Sequence, residues 1–216
     1  EISPRDWSSD VCSSDLRMIR AVKYAEATGF AIPFKTRLAI RRHAPALATA
    51  SISRLGEEAN KILYSGKARG IVESLRRFGL LSAIMPGVDK ALASEGAAAA
   101  SMKAALAELD AYVAATGDKS LGALLAYVLR DAVAAAQAIP APDAQAAFHN
   151  ALEAARDFLA PLTMPRIEVE RAVKSVFKAP EPKQKPKRPR RRRRRKPPTG
   201  AAEPSPRGGD EPRDGE

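Results

Sequence analysis

The sequence predicts an all-α fold: a bundle of short helices, then Ala-rich helices, then a disordered basic C-terminal tail. Three observations predict it. Apolar residues recur at three- and four-residue spacing from Arg17 to Phe177, and Gly and Pro punctuate those stretches. Alternating β-branched runs and Asn-Gly turns are absent.

Arg17 to Thr28 places Met18, Ile19, Val22 and Ala25 on one helical face, and Gly29 is placed to end that helix in a left-handed cap. A second helix is predicted from Pro33 through Leu38 and Ile40 to His43, just before Pro45. Ser51 or Ser53 is expected to cap a third, with Leu55, Ala59, Ile62 and Leu63 as its stripe and Gly66 as its stop. Lys67 to Phe78 repeats the pattern with Ile71, Val72 and Leu75, closed by Gly79. After Pro86 and Gly87 the composition turns to Ala, and helices are predicted over 96–116, 120–137, 142–159 and 165–178. Ala gives helix propensity but little burial, so these four must lean on one another through small-residue contacts.

Four segments follow from this pattern: 1–16, 17–87, 88–178 and 179–216. Their charges differ. The 216 residues carry a formal charge of +11, with 13 basic and 4 acidic residues in 17–77, 9 and 11 in 78–178, and 13 and 6 in 179–216. Such a surplus points to a polyanionic partner and says nothing of fold. The longest apolar stretches are Ala-rich and broken by charge or Gly, so no membrane partner is expected. One Cys and two separated His exclude an internal disulfide and a four-ligand zinc site.

The run from Asp6 to Leu16, DWSSDVCSSDL, shows no periodicity or apolar face, so 1–16 is expected to be disordered. It resembles the translation of a common sequencing adapter, which assigns Trp7 and Cys12, the only Trp and Cys, to a scar rather than to a site. The polypeptide proper is then expected to begin near Arg17.

Between Arg17 and Gly87, clusters fall in a recognisable order. Arg17, Met18, Arg20 and Ala21 open it; Gly29 and Phe30 make a turn; Arg54, Leu55, Glu57 and Glu58 start a helix; Gly79, Leu80 and Pro86 close it. This order, over about seventy residues, resembles the segment that follows the catalytic head in bacterial poly(A) polymerases and the related CCA-adding tRNA nucleotidyltransferases. Gly56 departs from it, standing where the family usually has Phe, which weakens the helix start and removes a core ring. Tyr24 replaces Phe, a milder change.

The resemblance implies the RNA-binding C-terminal part of a polynucleotide adenylyltransferase, which adds AMP from ATP to RNA 3′ ends. It implies Mg²⁺ and ATP for the head and none for this part, single-stranded RNA 3′ ends as partner, a DEAD-box RNA helicase as a second partner, and the bacterial cytoplasm as location. The head's Gly-Ser motif and paired acidic residues are not in this sequence, and Glu57 and Glu58 point about 100° apart on a helix, so no catalytic residue is expected here. The long Arg-rich tail favours the poly(A) over the CCA-adding type, while a stand-alone RNA-binding or scaffold protein stays open.

The candidate RNA contacts are basic. Arg17, Arg20 and Lys23 on the first helix are expected to meet phosphates of an RNA end, against the alternative of a solvated face. Arg41 and Arg42 sit where a helix C-terminus also favours cations, and Arg54 starts the third helix. Glu57 and Glu58 are expected to cap or pair locally, and His43 and His149 to be ordinary. In the tail, Lys183 to Lys196 hold eleven basic residues in fourteen; Lys187, Arg188, Arg190, Arg191, Arg192, Arg193, Arg194, Arg195 and Lys196 are the proposed contacts. Arg grips phosphate bidentately, and a polycation gains affinity by releasing counterions.

Overall fold

The periodicity read above becomes ten helices in the computed structural model, which describes residues 11–117 and 120–177, with side chains from Leu16 onward. They are α1 (Val11–Thr28), α2 (Phe34–His43), a 3-10 turn (Ala44–Thr49), α3 (Ile52–Leu63), α4 (Ala68–Arg77), α5 (Leu81–Ile84), α6 (Pro86–Ala93), α7 (Ala97–Thr116), α8 (Leu121–Gln137), α9 (Ala144–Leu159) and α10 (Arg166–Val176). No strand occurs among the described residues. No described helix is long and apolar enough to cross a membrane.

The expected stops hold. Gly29 at φ +77° ends α1, its N–H donating to the Ala25 carbonyl at 2.8 Å. Ser51 stands at the start of α3, although its hydroxyl makes no capping bond.

Three expectations need correction. First, α1 opens at Val11, inside the run expected to lack structure, and Leu16 is 7% exposed. Leu16, Ile19 and Val22 repeat at three-residue spacing, so one more turn of helix gains a core contact that a reading starting at Arg17 could not count. Second, α5, α6 and the 3-10 turn went unanticipated because Pro45 and Pro86 read as breaks. Both instead occupy first turns, where a missing N–H costs nothing. Third, the expected boundary between 87 and 88 falls within α6. Residues 11–177 lie in one compact unit, and a single apolar cluster runs from Leu16 to Val173. The expected tail lies outside the described residues.

Helix ends are closed by distant side chains. Lys67 Nζ donates to the Ala27 carbonyl at the end of α1, at 2.8 Å. The Asp110 carboxylate, on α7, accepts from the Ala68 and Arg69 N–H groups at 2.6 and 3.0 Å and caps α4. Close approach marks the later helices. A Cβ on Gly122 of α8 would lie 2.9 Å from Arg171 Cβ of α10, and the Gly122 N–H donates to Glu168 Oε2 at 2.8 Å. A Cβ on Gly87 would lie 2.2 Å from the Phe158 carbonyl oxygen.

Candidate nucleic-acid interface

The basic residues of the first half divide into two groups with different environments. Glu58, 1% exposed, gathers the first. Its Oε1 accepts from Arg20 Nε and Lys61 Nζ, each at 3.0 Å, and its Oε2 from Lys23 Nζ at 2.7 Å. Burial pushes this carboxyl up, and the hydrogen bonds from Lys23, Lys61 and Arg20 outweigh it, holding the group at about 2. Two of the expected phosphate contacts, Arg20 and Lys23, are thus bound across the α1–α3 interface. Lys23 keeps 13% of its side chain exposed, and Arg20 46%. The expectation of local pairing held only for Lys61, because the other two partners lie 35 and 38 residues away.

The second group sits on α2, whose sequence FKTRLAIRRH contains no acid. Successive helical residues turn by about 100°, so Arg37, Arg41, Phe34, Leu38, Arg42 and Lys35 fall within about 160° of arc. Ile40, 1% exposed, points the other way into the core. Phe34 is 71% exposed and Leu38 60%, and Arg37 Cζ stands 5.8 Å from the centre of the Phe34 ring. No described carboxylate lies within ion-pair distance of Arg17, Lys35, Arg37, Arg41, Arg42 or Arg77. Tyr24 and Phe30, 61% and 78% exposed, add two rings near the α1–α2 junction.

Arg41 and Arg42 are therefore brought onto one outward face, together with Lys35, Arg37 and the ring of Phe34, which sequence reasoning missed. The signal was available: six outward residues at helical spacing opposite one Ile. Arg17 is exposed on α1, one residue after the first described side chain, and Arg54 is exposed in the first turn of α3. Lys187 to Lys196 lie outside the described residues. Exposed cations interleaved with rings can neutralise phosphates and stack bases, a combination suited to a single strand.

The described residues do not fit Mg²⁺. Glu58 is enclosed by three cations, and no three His, Cys, Asp or Glu residues converge among those described.

No curated protein and no solved structure matches the chain. A family model described as "Probable RNA and SrmB- binding site of polymerase A" matches residues 29–92, from the cap of α1 to the end of α6. This match contains all of α2, and what it supports for that part of the chain is an RNA-binding region related to that of the poly(A) polymerases.

Proposed function

We propose that the chain is the RNA-gripping part of a polynucleotide adenylyltransferase, which holds an RNA 3′ end while a separate head adds AMP from ATP. The observation that carries the reading is the acid-free outer face of α2, whose cations have no carboxylate partner among the described residues and which lies wholly within the matched stretch. The family description, which names an SrmB-binding site, supports a DEAD-box RNA helicase as a second partner of the same region; a bacterial cytoplasm is the location that goes with this reading. The carboxylates that would hold Mg²⁺ belong to the head, and no chemical step is assigned to this chain.

Salt dependence of RNA binding tests it. Each phosphate neutralised on a single strand contributes about −0.7 to the slope of log affinity against log salt. Replacing Arg41 and Arg42 by Gln flattens the slope by roughly 1.4, and truncation after Ala179, which frees about five phosphates, flattens it by roughly 3 to 4. Unchanged slopes in both variants, or no binding by the full chain, overturn the reading. Incubated with Mg²⁺, labelled ATP and an oligo(A) primer, the polypeptide alone extends nothing.

A further inference from the structure

Beside the α2 face, a cavity of about 300 Å³ opens between the end of α1, the turn after it, Arg37 of α2 and the last turn of α4. Its lining has a fixed polarity. Inside stand Glu26 and Ser74, the latter 5% exposed, and the Ser74 hydroxyl donates to Glu26 Oε1. The other oxygen, Oε2, receives no hydrogen bond from a described residue. It has room because residue 70 is Gly, where a Cβ would come within 3.1 Å of it. The cations Arg37 and Arg77, both exposed and without a described carboxylate partner, also line the cavity, with Phe30 largely open to solvent and the Phe78 ring buried.

A ligand that fits must bring N–H donors to a carboxylate, an anion to two guanidinium groups and a flat face to Phe30. One nucleotide of a single strand has all three. We propose that this cavity reads one base of a bound RNA through its amino group, with Glu26 as acceptor, Ser74 and Gly70 positioning that carboxylate, and Arg37 and Arg77 taking the adjoining phosphates. Cytosine, adenine and guanine each present an amino group on the Watson–Crick edge, whereas uracil flanks one N–H with two carbonyl oxygens that a carboxylate repels. The cavity thus adds base discrimination to a face whose phosphate contacts have none. The proposal rests on the RNA-binding reading above.

Oligo(C) and oligo(U) isolate the effect, because the two rings have equal size and differ in the amino group. Fluorescence anisotropy with the full chain, at salt high enough to weaken phosphate contacts, is expected to show oligo(C) binding about tenfold tighter. Glu26→Gln brings the ratio close to one, because an amide accepts from cytosine and donates to uracil. Ser74→Ala lowers the ratio, and Phe30→Ala, at an exposed ring, weakens both oligomers alike. Equal affinities in the unaltered chain overturn the proposal, as does a ratio that survives in a folded Glu26→Gln or Ser74→Ala protein. Binding without base preference removes only the cavity's role; no binding to either oligomer removes the RNA reading with it.

Discussion

In α1 to α6 the buried side chains are large, among them Ile19, Ile40, Ile62, Ile71 and Ile84, and a carboxylate sits among them under three cations. In α7 to α10 the buried set is rich in small residues, Ala105, Ala136, Ala151, Ala155 and Ala172, and the helices approach until Gly122 touches α10. Charge follows the same division. The later helices pair their ions on the surface: Arg130 with Glu108, Arg166 with Glu170, Arg171 with Glu168. The earlier ones leave a surplus, and folding sorts it, assigning Arg20, Lys23 and Lys61 to Glu58 and leaving α2 uncompensated. Net charge is therefore a poor guide to an interface until the charges that folding consumes have been subtracted.

Glu58→Ala is the strongest way to break the first half. It strands three cations around a vacated site and is expected to cost about 3 kcal/mol in chemical denaturation. The contribution depends on pH in a fixed direction: the folded carboxyl titrates near 2, below its ordinary 4.5, so stability is complete above about 4.5 and is lost as pH falls towards 2. Wild type and Glu58→Gln should therefore converge in acid, and a gap that stays constant down to pH 2 contradicts the assignment.

Gly87→Ala tests the junction between the halves. A methyl group 2.2 Å from the Phe158 carbonyl oxygen forces α6 and α9 apart, with an expected loss of about 2 kcal/mol in thermal or denaturant unfolding. The opposite sign is expected at Gly56, inside α3, where an added Cβ meets nothing within 4 Å. Gly56→Ala should stabilise by about 1 kcal/mol, since Ala loses less backbone entropy and fills empty space. Smallest is Arg130→Gln in the second half: its ion pair with Glu108 is exposed on both sides, and its loss should stay below about 0.5 kcal/mol.

Much of this was legible in the sequence where the cause is local. The stop at Gly29, the stripe of α3 and the length of α8 follow from spacing and from glycine and proline, and the structure keeps them within a few residues. Glu58 was not legible, because its burial is decided by α1 arriving from 35 to 38 residues away. The outer face of α2 was half legible. Arg41 and Arg42 stood out as a pair, but that Phe34 and Arg37 share their face uncovered depends on α2 resting on the core through Ile40. The spacing marks the stripe, but that no later element covers it is decided by packing and not by the local pattern.

Asp110 closes the first turn of α4 from 42 residues downstream. A helix start capped from a later segment leaves the Ala68 and Arg69 amides to water wherever α7 is not docked. A chain lengthening residue by residue must pass Asp110 before the Ala68 and Arg69 amides are shielded, and their hydrogen exchange reports that moment. The segment 29–92, cut out alone, would also lack the α1 partners of Glu58. The stretch that the family model matches, 29–92, is shorter than the apolar cluster it is part of, which runs from Leu16 to Val173.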